Sequence, residues 1–162
     1  MRLLLERTLT TLEDTQALAR EVLPLFPPGA LVVLQGPLGA GKTTLVRFLT
    51  EALGFTGRVT SPSYTLIHTY PTPEGPVVHV DLYRLQDPKL LLPHLEAARE
   101  GARLLLVEWG DPETLEADFL LRLLPQGEKR RATLWQLRPG QEEGIQQGLP
   151  RSCKELCVRV CV

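Results

Sequence analysis

The stretch Ala30-Leu31-Val32-Val33-Leu34-Gln35-Gly36-Pro37-Leu38-Gly39-Ala40-Gly41-Lys42-Thr43 decides how the rest of the chain is read. It opens on an unbroken apolar run, the pattern of a strand buried on both faces of a parallel sheet. From Gly36 the sequence then satisfies G-x-x-x-x-G-K-[ST] at every fixed position. Residues 43–53 follow with a helical pattern that Gly54 closes. Strand, glycine-rich loop and helix in that order make an anion site. The glycines let successive backbone N–H groups wrap a phosphate, and the helix aims its positive end at the same anion. Lys42 supplies a mobile charge for the β- and γ-phosphates, and the Thr43 hydroxyl suits Mg2+. The expected nucleotide-binding loop is therefore Gly36, Pro37, Leu38, Gly39, Ala40, Gly41, Lys42 and Thr43. The competing reading, a glycine-rich turn that merely joins strand to helix, is disfavoured by the flanking elements.

Outward from the loop, strands and helices alternate. Residues 3–9 suit a short strand. Thr11 then caps a helix, with Asp14 in an approximate capping box and Leu18, Val22 and Leu25 as its apolar stripe, until Pro24, Pro27 and Pro28 stop it. Residues 65–70 alternate as a strand, 71–76 turn, and 77–80 form a second strand ending at Asp81. Residues 88–99 read as one helix with Leu90, Leu91, Leu92 and Leu95 inward, and 103–107 as a third buried strand ending at Glu108. Residues 119–124 and 132–137, joined by Pro125-Gln126-Gly127-Glu128, read as a hairpin. The expectation is an α/β fold with a mostly parallel central sheet and a C-terminal hairpin. Residues 1–140 form a single domain, and 141–162 a tail to which no structure is assigned.

Phosphoryl transfer also needs carboxylates near the metal and the attacking oxygen. In an open parallel sheet, ligands sit beyond the carboxyl ends of the strands. Asp81 and Glu108 each follow an apolar strand and so stand at such ends. Either alone is equally a solvated strand-end carboxylate; the two together favour the functional reading. Between them and the loop lie Ser61, Pro62, Ser63, Tyr64 and Thr65, rich in hydroxyls. This segment suits a γ-phosphate sensor or a plain polar strand entry equally well.

Composition bounds the partners. The 162 residues carry a net charge of -1 and a pI near 6.3, so no global basic field draws the chain onto nucleic acid. No apolar run approaches the length of a membrane span, and three apolar residues near the N-terminus do not make an export signal. Cys153, Cys157 and Cys161 cluster near the C-terminal end without a nearby His to complete a metal site. The expectation is a cytoplasmic protein without a disulfide framework.

Four segments carry a resemblance. Gly36-Pro37-Leu38-Gly39-Ala40-Gly41-Lys42-Thr43-Thr44, Ser61-Pro62-Ser63-Tyr64-Thr65-Leu66, His79-Val80-Asp81-Leu82-Tyr83-Arg84-Leu85 and Val107-Glu108-Trp109 occur in that order. Together they make the chain resemble the bacterial TsaE (YjeE-like) ATPases of tRNA threonylcarbamoyladenosine biosynthesis, over about residues 8–138. The resemblance implies a P-loop NTPase-like three-layer sandwich and ATP hydrolysis with Mg2+. It implies two partner proteins, one of which transfers threonylcarbamoyl to the adenosine beside the anticodon; hydrolysis resets that complex, and tRNA is met indirectly. By the same resemblance, Lys42 and the loop amides through Thr44 hold phosphates, and Thr43 and Glu108 hold Mg2+. Asp81 positions or activates the hydrolytic water, Ser61 to Thr65 form a switch-like segment, and the stretch around Thr11, Leu12 and Thr15 approaches the adenine. Ser63 stands where the family often has Thr, and Gly110-Asp111 where Pro is frequent.

Of the remaining polar residues, His68, His79 and His94 have no metal-ligand spacing, and His79 is expected to be packed. Arg84 suits a surface ion pair, a phosphate or a partner. Lys129, Arg130 and Arg131 form the one local basic cluster in the hairpin turn, by default solvated and otherwise a contact for a partner or tRNA. No N-K-x-D guanine reader is present, which leaves ATP as the expected nucleotide. A small-molecule or nucleotide kinase and a non-hydrolysing nucleotide switch share the loop and stay as alternatives. With no obvious arginine finger in cis, the intrinsic rate is expected to be low.

Overall fold

The computed structural model describes residues 1–59, 67–83, 85 and 87–138. The expected switch-like segment from Ser61 to Thr65, Arg84 and the tail at 141–162 lie outside the described residues. The elements in chain order are β1 (Arg2–Leu9), α1 (Leu12–Val22), β2 (Ala30–Gln35), α2 (Lys42–Ala52), β3 (Ile67–Tyr70), β4 (Val77–Asp81), α3 (Leu92–Arg99), β5 (Leu104–Glu108), β6 (Phe119–Gln126) and β7 (Lys129–Gln136). All the strands join one sheet in the order β1-β7-β6-β2-β5-β4-β3. The central neighbours β6-β2-β5-β4 run parallel, while β7, β1 and β3 add antiparallel edges.

Period-two alternation sorts the central strands between two helical layers. Val32, Leu34, Leu104 and Leu106 pack on the face covered by α1 and α2, against Leu18, Val22, Leu45 and Leu49. Leu31, Val33, Leu105 and Val107 pack on the other, against Leu95 of α3. Each of these leucines, fully buried, contributes about 1.5–3 kcal/mol of transfer free energy. A strand apolar on both faces thus requires a three-layer arrangement, as the continuous run in β2 predicts.

The expected capping box on α1 is present: the Thr11 side chain accepts from the Asp14 N–H, and Asp14 accepts from the Thr11 N–H. The expected single helix over 88–99 is instead a 3-10 turn at Pro88–Leu91 followed by α3. Pro93 explains the break, since its ring and missing N–H bar a helix from continuing through it. The changed phase leaves Leu90 exposed rather than inward. Leu25 likewise leaves the stripe of α1, because Pro24 turns the chain into a 3-10 segment.

The hairpin is tighter than its sequence suggests. Pairing continues to Gln126↔Lys129, so Lys129, Arg130 and Arg131 belong to β7 and not to the turn. Pro125 does not end β6, because β2 pairs only as far as Arg122 and no neighbour on that side needs its missing N–H.

Candidate nucleotide-binding site

The parallel registers Leu34↔Glu108 and Asp81↔Glu108 bring the exit of β2 and both acids to the same end of the sheet. The loop after β2 lies at that end. A Cβ on Gly36 would come within 2.3 Å of the Leu123 carbonyl oxygen, so the loop can lie this close to β6 only with glycine there. Gly41 caps α2 in the left-handed region at φ 100°, after which Lys42 opens the helix.

Lys42 is only 5% exposed. Its ammonium donates to the Gly36 carbonyl oxygen and lies 3.8 Å from the centroid of the Trp109 ring. Burial holds its pKa below the ordinary lysine value, while the negative charges of Glu108 and Asp81 pull it back up. The loop therefore confines a desolvated cation beside two acids. An incoming phosphate is the natural counter-charge.

Glu108, at the tip of β5, is 4% exposed. Its Oε2 lies 2.6 Å from His79 Nε2, and the Thr43 hydroxyl donates to the same oxygen at 3.4 Å. A carboxylate accepts, so the bond to Glu108 is donated by the His79 Nε2–H, and the second ring nitrogen is Nδ1. That Nδ1 is buried without a hydrogen-bond partner among the described residues. Asp81 is half-buried at the tip of β4, where its Oδ1 accepts the Tyr83 N–H at 2.9 Å.

The turn after Glu108 is strained. Trp109 takes φ 63°, a left-handed conformation costing an aromatic residue of order 1–3 kcal/mol. That turn brings the indole over Lys42, with the Tyr83 ring centroid at 4.9 Å from that of Trp109. Trp109 is thus part of the site and not of the core.

The structure brings together the loop, Lys42, Thr43, Asp81 and Glu108, as the sequence predicts. Leu12 stands exposed at the start of α1, and Thr15 is buried one turn on. The basic cluster divides between two faces of β7. Arg131 pairs with Glu6 of β1, Lys129 is exposed, and Arg130 turns inward to the Ala40 carbonyl and the Thr15 hydroxyl.

Two participants escape a reading by motif. His79 is packed, as expected, yet also hydrogen-bonded to Glu108. Strand periodicity carried that signal: residues 77, 79 and 81 share one face of β4, and Val77 packs with Leu104 and Leu106 of β5 on the α2 side. Arg130 left no such signal, because nothing in Lys129-Arg130-Arg131 says which member turns inward.

A family model described as threonylcarbamoyl adenosine biosynthesis protein TsaE matches residues 9–133. The chain belongs to the TsaE family. A curated TsaE from Aquifex aeolicus is 38% identical over 133 residues, covering 81% of this chain and 95% of that protein. The Streptomyces coelicolor TsaE is 41% identical over 102 residues, 61% of this chain and 69% of the relative. The crystal structure of Bacillus subtilis YdiB superposes with a TM-score of 0.67 at 26% identity, covering 94% of this chain and 98% of that one. The TsaE match spans the loop, both strand-tip acids and Arg130. It also accords with the mixed sheet of an α/β P-loop NTPase-like fold. Among the described residues no helix is long and apolar enough to cross a membrane.

Proposed function

We propose that this TsaE-family chain binds ATP with Mg2+ and hydrolyses it as the ATPase of tRNA threonylcarbamoyladenosine biosynthesis. Hydrolysis resets the partner transferase complex between turnovers. The observation that carries the reading is the buried Lys42 ammonium, held at the strand ends beside Glu108 and Asp81.

The donor set fits magnesium. Thr43, at the start of α2, and Glu108, at the tip of β5, offer hard oxygen ligands 3.4 Å apart. Mg2+ typically takes one or two protein oxygens and fills its remaining positions with water and substrate phosphates. When bound, the ion would neutralise charge on the phosphates. The chain's own residues do the rest. The backbone N–H groups of the loop, from Leu38 to Thr44, orient the phosphates, and Lys42 exchanges the Gly36 carbonyl for a phosphate oxygen. His79 fixes the orientation of the Glu108 carboxylate. Asp81, at the neighbouring strand tip, positions or activates the attacking water.

The stretch around Thr11, Leu12 and Thr15 is assigned to the approach to the adenine. Ser61, Pro62, Ser63, Tyr64 and Thr65 are assigned to sensing the γ-phosphate. Arg84, Lys129 and Arg131 are assigned to the protein partners, through which tRNA is met indirectly.

The test is phosphate release from Mg-ATP with water alone as acceptor, alone and with partner proteins. Lys42→Ala is expected to lower kcat/KM by about 10²–10³-fold, the usual size of a lost preorganised charge contact. Asp81→Ala is expected to leave ATP binding nearly intact and slow turnover by about 10–100-fold. Unchanged hydrolysis in the Lys42 variant would sink the assignment. Bound ATP that never turns over, even with partners, would make the protein a switch.

A further inference from the structure

Arg130 lies near the start of β7, and its side chain crosses to the phosphate loop. Nη1 donates to the Ala40 carbonyl oxygen at 3.1 Å, and Nη2 to Thr15 Oγ1 at 3.3 Å. Thr15 is fully buried in α1. A Cβ on Gly41 would come within 2.1 Å of Arg130 Nη1, so a bare glycine is what lets the guanidinium lie there. Gly41 therefore serves two ends: it supplies the left-handed turn into α2 and leaves room for the arginine.

The carbonyl of Ala40 and the N–H of Gly41 belong to one rigid, planar peptide unit and point in opposite directions. In a phosphate-wrapping loop the N–H groups face the anion and the carbonyls face away. A guanidinium on the Ala40 carbonyl thus grips the loop from outside and fixes where the Gly41 N–H points. Its second bond anchors the grip to α1. The bonds come from a charged donor, which strengthens them relative to neutral pairs.

We infer that Arg130 is a positioning residue. It holds the Ala40–Gly41 peptide plane so that the Gly41 N–H addresses the nucleotide phosphate, and it couples that plane to α1 through Thr15. The inference rests on the phosphate-binding reading of the loop. It assigns Arg130 to the chain's own site and leaves Lys129 and Arg131 as the outward members of the cluster.

The experiment measures Mg-ADP affinity by calorimetry, the steady-state kcat and KM for Mg-ATP, and the melting midpoint of the nucleotide-free protein. The variants are Arg130→Ala, Arg130→Lys, Thr15→Val and the Arg130→Ala/Thr15→Val double. Arg130→Ala is expected to weaken Mg-ADP binding about tenfold and raise KM similarly, as one lost charge-assisted bond does. The kcat should change less than about threefold, since the plane is held in ground and transition states alike. Arg130→Lys should recover part of the affinity by keeping the charge with a single bond. Thr15→Val should weaken binding by about threefold in the wild type and not further in the Arg130→Ala background.

The inference is overturned if Arg130→Ala binds Mg-ADP like the wild type, or if only the melting midpoint falls while affinity of the folded fraction holds. Should Arg130→Ala not fold, Arg130→Lys and Thr15→Val carry the same test at smaller amplitude. Loss of partner binding with unchanged nucleotide affinity would return Arg130 to the partner surface. If the wild type binds no nucleotide, the reading of the loop fails and the inference with it. If the wild type binds, Lys42→Ala does not, and Arg130→Ala matches the wild type, the inference alone fails.

Discussion

Two carboxylates are buried at opposite ends of the parallel strands, and their surroundings differ in kind. Asp118, just before β6 at the amino ends, is 1% exposed. Its Oδ2 accepts the Leu31 N–H at 2.9 Å and the Arg99 guanidinium, which also donates to the Gly29 carbonyl. Its backbone is tied as well, the N–H to Leu31 and the carbonyl oxygen to Leu137. Glu108, at the carboxyl ends, leans on a histidine whose far nitrogen has no partner among the described residues and on a threonine at 3.4 Å. A desolvated lysine and a left-handed tryptophan stand beside it. A buried charge with matched partners stiffens the fold. An incompletely matched one, set among strained and desolvated neighbours, marks a place built for something that binds.

That contrast can be broken most directly at Glu108. Glu108→Gln keeps the shape and removes the charge. If Glu108 holds magnesium as proposed, ATP hydrolysis is expected to fall by about 10²–10³-fold, because the metal would lose a charged ligand. The nucleotide-free protein should melt within a few degrees of the wild type. A large melting shift with normal turnover would show Glu108 to be structural. Asp118→Ala is the mirror experiment. Removing one partner of a buried pair leaves the Leu31 N–H unsatisfied and Arg99 without its carboxylate, and costs about 2–4 kcal/mol, allowing for the partial exposure of Arg99. In a chain of this length that lowers the midpoint by roughly 5–15 °C, while Mg-ADP affinity of the folded fraction should hold. Thermal melts and calorimetry on both variants decide the matter. If the two exchange behaviours, saturation of hydrogen bonds does not distinguish structure from site.

Legibility in the sequence followed the same divide. The P-loop and the strand-tip acids could be read because their constraints are local: a spacing, an apolar run, a residue just after it. The capping box of α1 was legible for that reason too. The α3 region misled, because Leu90 to Leu95 looks helical throughout and the effect of Pro93 on phase is settled by packing. The hairpin misled because Pro125 breaks a strand only where a neighbour needs its N–H, and that depends on where β2 stops. His79 was half-legible: period two puts it on the face of Asp81, but pairing with Glu108 requires the parallel register of β4 and β5. Arg130 was illegible, since its contact joins residues far apart in the chain and its neighbours are equally basic. Trp109 stands in a segment that carries the family resemblance, where it could equally buttress the site or pack in the core; the left-handed turn that sets it over Lys42 is what no residue preference announces.

The finest test of the contrast uses a carboxylate that is satisfied but not buried. Asp14 accepts the Thr10 N–H at 2.8 Å and the Thr11 N–H at 3.0 Å while only half-buried. These bonds, Thr10 first and then Thr11, hold its pKa below the ordinary 3.8. A folded-state pKa below the unfolded one means that the unfolded chain binds more protons over the interval between them. The ionised cap therefore stabilises the fold above pH 3.8, and that contribution fades as pH falls through the lowered value. Asp14→Asn retains an acceptor and loses the charge. Its melting midpoint should sit slightly below the wild type at neutral pH and meet it in stronger acid, with nucleotide affinity unchanged. A difference that persists undiminished below the folded-state pKa would assign the effect to cap geometry and not to charge. A difference that grew in acid would reverse the sign of the shift. Either result would show that matching a carboxylate's hydrogen bonds is not enough to predict its part in stability, and would weaken the same inference drawn for Asp118.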